Sequence, residues 1–326
     1  MTAVYHEGEM LLLCARSALR PQDAERLGIL AAGVVDWELL FLLARKHRVL
    51  PLLAATAYGD LSLRQVWDID LLVDEQQAGP FVGILEADGY LPQRRLDRAQ
   101  DLLHRETAIS IDLHWGLTPA FFPVDVGVSD LLARRRRIVV ADAPCTVPDD
   151  ADMLFILCLQ VAKDCWERRQ HLEYLSKAVD IAEFLRSASP LDWDRILAEA
   201  QRQGWLRVLR FGLGLAAGLL DAPLPPSLRD DLRRDATAAR LVDDVCRRLF
   251  TSEDRIPFKL DDAPFTLEHR FRHLQFYLAM RERPSDWLRH LAEIGRSGIP
   301  RTASTWIGGW PGRGFRWNRK DDRAAA

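Results

Sequence analysis

The chain has 326 residues, 48% of them hydrophobic, which is enough to fill one large or two smaller compact cores. That composition argues against disorder throughout and against a fibrous repeat. Its 44 basic and 47 acidic residues leave a formal charge of -3, so no overall field favours nucleic acid or an anionic membrane, and any polyanion site has to be local.

Apolar residues from Met10 to about Leu53 recur at three- and four-residue spacing, most clearly at Trp37, Leu39, Leu40, Leu42 and Leu43. Pro21 and Asp36 stand where helices open, so residues 1–55 read as a helical lead-in. Glu7 and Glu9 precede the short Met10–Cys14 run where a secretory signal would carry positive charge. Leu39–Ala44 and Phe211–Leu220 fall well below the ~20 apolar residues needed to cross a bilayer. The five cysteines are an odd number without a C-x-x-C pair, as expected of a reduced protein. A soluble, cytoplasmic protein is expected.

The character changes at the turn signal Tyr58-Gly59-Asp60. The apolar run that follows, Val66-Trp67-Asp68-Ile69-Asp70-Leu71-Leu72-Val73, predicts a buried strand. Glu75–Asp88 predicts a helix with Pro80 in its first turns, Ile109–Trp115 a second strand and Arg136–Ala141 a third. Together they predict a small mixed sheet with helical cover over residues 56–148. Asp150 is placed to cap a helix at Met153–Arg169. Further helices are predicted at His171–Ser187, Asp192–Gln203 and Leu206–Leu220, with two or three more after Pro223, Pro225 and Pro226, making 149–295 helical. The class is therefore α+β. Residues 296–326 hold seven basic against two acidic residues, five glycines, and Trp306, Trp310 and Trp317. They read as a flexible tail, or as a contact segment for an anionic partner.

Asp68 and Asp70, one residue apart on a strand, share one side of a sheet, while Ile69 and Leu71 face the other. Like charges so placed raise each other's pKa unless a cation lies between them, and an all-oxygen site suits magnesium. On the second strand Asp112 shares its face with Ser110 and His114. If the two strands are neighbours, three carboxylates converge, a set able to hold metal ions on a nucleotide's phosphates. The third carboxylate would hold the metal beside the nucleophile or take its proton. Aspartate is a poor strand former and costly to bury, so two within Val66–Val73 need a compensating partner.

The segments Tyr58-Gly59-Asp60-Leu61-Ser62-Leu63-Arg64, Asp68-Ile69-Asp70-Leu71-Leu72-Val73, Gly89-Tyr90 and Ile111-Asp112-Leu113-His114-Trp115 resemble the uncharacterised nucleotidyltransferase family of bacteria, within the polymerase-beta-like superfamily. Asp36-Trp37 with His47–Leu53, and Leu154–Leu185 with Asp192-Trp193, extend the likeness over most of residues 10–230. The resemblance implies a nucleoside triphosphate donor, Mg2+ or Mn2+, and transfer of a nucleotidyl group to an acceptor the family does not define: a small molecule, a protein or an RNA. It assigns Asp68, Asp70 and Asp112 to the metal. Arg64, Lys163 and Asp180 match positions on the nucleotide side, with Arg64 able to reach a phosphate and Lys163 expected to contact the triphosphate.

The chain also departs from the family. A strand and a Leu-Lys-Gly or Gly-Ser turn should precede the Tyr-Gly-Asp segment. Here Pro51-Leu52-Leu53 runs almost directly into Ala54–Tyr58, and no Gly-Ser dipeptide exists in the chain. The alternative reading is thus a catalytically impaired nucleotide- or partner-binding relative.

Other features read more simply. His269 and His273 share a helix face, but Arg270 stands where a zinc protease needs Glu. The run Arg134–Arg137 reads as a charged rim or as a guide for polyanions. His114 reads as an aid to catalysis or a packed strand-end histidine, and Trp37, Trp166 and Trp193 as packing residues.

Overall fold

A computed structural model describes residues 6–17, 19–50, 52, 68–118, 126–140, 142–167, 174–188, 190–250, 274–276 and 278–283. It is α+β, with one mixed four-stranded sheet, a separate hairpin and a helical body.

The lead-in forms α1 (His6–Cys14), α2 (Pro21–Ala31) and α3 (Trp37–Lys46). Pro21 opens α2, where its missing N–H is no loss, and the Asp36 side chain accepts from the Leu39 N–H at the start of α3. Leu40, Leu43 and Ala44 point inward. Trp37, read as a packing residue, is 62% exposed, because it follows the cap directly and falls on the outer side of α3.

Strand β1 (Asp68–Leu72) leads into α4 (Glu75–Ala87), which is capped by the Asp74 carboxylate accepting from the Gln76 N–H. Next come β2 (Tyr90–Arg95), β3 (Ala99–His104) and β4 (Ser110–His114), in the spatial order β1-β4-β3-β2. β1 runs parallel to β4, and β2 and β3 add an antiparallel hairpin. This hairpin is absent from the sequence reading. Pro92 and the polar run Gln93-Arg94-Arg95 weaken the strand signal, and the structure tolerates them because β2 is an edge strand with an irregularity between Pro92 and Arg95. Leu85, Leu102, Ile111 and Leu113 form a small core under the sheet, with Leu71, Phe81, Val82 and Tyr90 packed around it.

After α5 (Val128–Ala133), the strand predicted at Arg136–Ala141 exists as β5 (Arg136–Val140), but it does not join the sheet. Among the described residues it pairs with β6 (Ala143–Val147), a strand not predicted, in a two-stranded hairpin. The Asp142 turn, in left-handed backbone, folds it back on itself. The arginine run is largely tied down: Arg134 donates twice to Asp152, Arg135 to the Leu132 carbonyl, and Arg136 pairs with Asp150.

The helical body comprises α6 (Asp150–Glu167), α7 (Leu175–Ser187), α8 (Trp193–Gln203), α9 (Leu206–Leu220), α10 (Pro226–Arg234) and α11 (Ala236–Arg248). Helix α6 begins one turn earlier than predicted. Asp149, not Asp150, accepts from the Asp152 N–H at 2.8 Å, and Asp150 is already helical. Helix α9 is buried on nearly all sides and packs against α6, α7 and α11. A Cβ at Gly212 would lie 2.6 Å from Cys158 Sγ and 2.8 Å from its Cα, so glycine is what lets α9 and α6 approach. Residues of α1 and α3 share this core with α6–α9. None of the five cysteines is in a disulfide. Among the described residues no helix is long and apolar enough to cross a membrane.

Candidate active site

The parallel register of β1 and β4 sets Asp70 opposite Asp112, Asp68 opposite Ser110, and Leu72 opposite His114. Since paired residues share a face and side chains alternate, Asp68, Asp70, Asp112 and His114 lie on one side of the sheet. Leu71, Ile111 and Leu113 take the other side, under α4. The Val73 N–H donates to the His114 carbonyl at 2.9 Å and prolongs the pairing just past the site.

A ring nitrogen of His114 and one carboxylate oxygen each from Asp70 and Asp112 lie within 4.8 Å of one another. His114 Nε2 donates to Asp70 Oδ1 at 3.2 Å. The Asp70 side chain is 70% exposed, so its remaining lone pairs face the open side of the sheet.

The two central carboxylates are driven apart in acidity. Burial, then repulsion from Asp101, Asp68 and Asp70, pushes Asp112 up to about 6, with His114 opposing. Asp70 is held below its ordinary value, first by the His114 hydrogen bond, against some loss of hydration to the surrounding protein, and then by the charges of His114, Lys163 and Lys177. One acid whose titration is moved up toward neutrality beside one that stays ionised well below it is a frequent arrangement in sites of proton transfer and metal binding.

These donors fit a divalent cation. Two ligands on opposite sides of an ion at about 2.1–2.4 Å are separated by about 4.2–4.8 Å, so the set falls within one coordination sphere. The carboxylates suit magnesium, and the imidazole extends the range to manganese and zinc.

Asp101, which the sequence reading passed over, belongs to the same face. It stands opposite Asp112 in the β3–β4 register, with Arg94 Nε 3.6 Å from its Oδ2. Burial raises its pKa, with Arg94 and His114 opposing. A signal for it existed. Asp101-Leu102-Leu103-His104 and Ile111-Asp112-Leu113-His114 flank the short polar segment Arg105-Glu106-Thr107, as the arms of a hairpin do. Lys163, on α6, lies close enough to Asp70 to act on its charge, and so does Lys177 on α7, which was not predicted. Asp180 is partly buried on α7, one turn beyond Lys177. Arg64, Gly59, His269, His273 and the 296–326 tail lie outside the described residues.

A carboxylate-lined strand face on a small mixed sheet, flanked by helices carrying lysine, is a platform suited to metal-assisted phosphoryl-group chemistry. The model of the uncharacterised nucleotidyltransferase family matches residues 52–221, more than half of the sequence, and the chain belongs to that family. No curated protein and no solved structure matches it.

Proposed function

We propose that the protein moves a nucleotidyl group from a nucleoside triphosphate to an acceptor hydroxyl, with Asp68, Asp70 and Asp112 holding magnesium or manganese against the donor phosphates. The observation that supports this most is the in-register pairing of Asp70 with Asp112, beside His114, in a chain of a nucleotidyltransferase family. When bound, the cation would neutralise charge on the phosphates and polarise a phosphoryl oxygen.

The chain's own residues would do the rest. His114 orients the Asp70 carboxylate through its 3.2 Å hydrogen bond. Asp112, titrating at about 6, is mostly ionised at neutral pH yet basic enough to take the acceptor's proton. The acceptor oxygen forms its bond to the α-phosphorus as the bond to the bridging oxygen breaks. Pyrophosphate leaves with that electron pair, and the hydroxyl proton passes to Asp112. The acceptor is a small molecule, a protein or an RNA.

Release of labelled pyrophosphate, measured with magnesium and a panel of acceptor mixtures, tests the reading. Metal-dependent release that disappears in Asp68→Asn/Asp70→Asn is the expected result. Nucleotide binding without release in any mixture would leave the impaired, scaffold-only relative. Absence of both nucleotide and metal binding would overturn the proposal.

A further inference from the structure

Beyond Asp112, on the side of the sheet away from β1, stand two side chains outside the metal-ligating set. Asp101 on β3 lies opposite Asp112 in register, and Arg94 on β2 comes next, its Nε 3.6 Å from Asp101 Oδ2. That distance makes an ion pair but is too long for a hydrogen bond. Among the described residues the Asp101 carboxylate accepts no hydrogen bond, and Arg94 Nε and Nη1 are enclosed with no partner. Each side chain is 27% exposed, so each keeps one end open to solvent. Buried Gln100, on the opposite face by alternation, pins the backbone of both: its side-chain amide donates to the carbonyls of Arg94 and Asp101, at 3.1 Å each.

Enclosed polar groups in a folded chain are nearly always hydrogen-bonded, so a carboxylate and a guanidinium left side by side without such bonds have capacity for a guest. The chemistry of that guest is restricted. An ammonium would suit Asp101 and be repelled by Arg94, while a carboxylate or phosphate would do the reverse. A hydroxyl suits both, because it donates to the carboxylate and accepts from the exposed end of the guanidinium at the same time. A guest that bridges the pair and draws it together by a few tenths of an ångström would also bring Nε within bonding distance of Asp101.

We propose that Arg94 and Asp101 form the acceptor subsite and select a neutral polyhydroxy acceptor, one of whose hydroxyls reacts at Asp112 while a neighbouring hydroxyl bridges the pair. This rests on the nucleotidyl-transfer reading above and adds to it the class of acceptor. The placement comes from strand order. In-line displacement sets the incoming oxygen and the leaving pyrophosphate on opposite sides of the α-phosphorus. With Asp68 and Asp70 of β1 holding the metal on the donor, the acceptor enters over β4 and β3, where Asp112 and Asp101 are cross-strand neighbours about 5 Å apart. That spacing suits adjacent hydroxyls of a sugar or polyol. The phosphates of an RNA end would meet Asp101 and Asp112 as like charges, so a free polyol fits better. Gln100 is a positioning residue in this arrangement, acting through the two side chains it holds.

Magnesium-dependent pyrophosphate release from a nucleoside triphosphate tests the proposal in the full chain, for wild type, Arg94→Met and Asp101→Ala. The acceptors are glycerol, its cationic analogue aminopropanediol, its anionic analogue glycerate, and a short oligoribonucleotide. The wild type should use glycerol with kcat/KM about 10-fold above that for either charged analogue or the RNA. Arg94→Met leaves the carboxylate alone and should raise the ratio of aminopropanediol to glycerate use by about 10-fold. Asp101→Ala leaves the guanidinium alone and should lower that ratio by a similar factor. A loss of packing would not move it in opposite directions. If one variant does not fold, the other carries the test. An unchanged ratio in a folded variant, or a wild type that prefers a charged analogue or the RNA, overturns the assignment. A wild type that releases no pyrophosphate with any acceptor removes the nucleotidyl-transfer reading itself, so the two failures are distinct.

Discussion

The two faces of the four-stranded sheet are built from the same strands in the same register, yet they follow opposite physical rules. On one face Leu71, Leu102, Ile111 and Leu113 close against Phe81, Val82 and Leu85 of α4, and every contact favours folding. On the other, Asp68, Asp70, Asp101 and Asp112 crowd together with His114, and burial together with their mutual repulsion raises the pKa of Asp112. An Asp whose folded pKa exceeds its unfolded value of 3.8 binds protons more readily when folded. Its contribution is therefore favourable at low pH and is lost as pH rises towards about 6. Above that pH the acidic face opposes folding, by at most about 3 kcal/mol and by less after solvent screening. The difference teaches that the apolar face holds the platform together while the acidic face works against it, a cost that the proposed cation would offset.

Four changes separate the faces, beginning with the largest. Leu113→Ala, at a position with no exposure, should remove about 2–5 kcal/mol of stability in urea unfolding, yet leave Mn2+ affinity of the folded protein within about 3-fold. Asp112→Asn should act in the opposite sense, weakening Mn2+ by at least about 100-fold while raising the melting temperature of the metal-free protein at about pH 7.5. A lower melting temperature for that variant would break the comparison. Mn2+ affinity of the wild type should fall about 10-fold between about pH 7 and 5, because a proton on Asp112 competes with the ion; Asp70, held low, stays ionised over that window. The smallest effect belongs to Asp74→Ala, which loses the α4 cap and the Ser129 hydroxyl's 3.2 Å contact. It should lower stability by about 1 kcal/mol without altering Mn2+ binding.

Much of this was legible in the chain, for reasons that differ by region. The period-two spacing of Asp68 with Asp70, and of Ser110, Asp112 and His114, was enough to put them on shared faces, because strand alternation is a local property. The helical body followed from pattern and resemblance, whereas the direct pairing of β1 with β4 entered the sequence reading only as a condition, since alternation does not name a strand's neighbour. Asp101 was passed over because Pro92 and the charged Arg94, Arg95 and Arg98 hide a hairpin whose stability comes from its neighbour β4 and from Leu102 in the core. The Asp164–Lys177 bridge joins residues 13 apart on different helices, a contact that no local period encodes. The arginine strand went into the wrong sheet for a related reason: alternation predicts a strand but not its partner.

The central claim is that Asp70 and Asp112 share a cation that carries a nucleotide. Titration of Mn2+ followed by its electron paramagnetic resonance signal, in wild type and Asp70→Asn, with and without a nucleoside triphosphate, addresses it most directly. The account predicts saturable Mn2+ binding that tightens when triphosphate is added and vanishes in the variant. Equal Mn2+ binding by both proteins, or an affinity indifferent to the nucleotide, would contradict it.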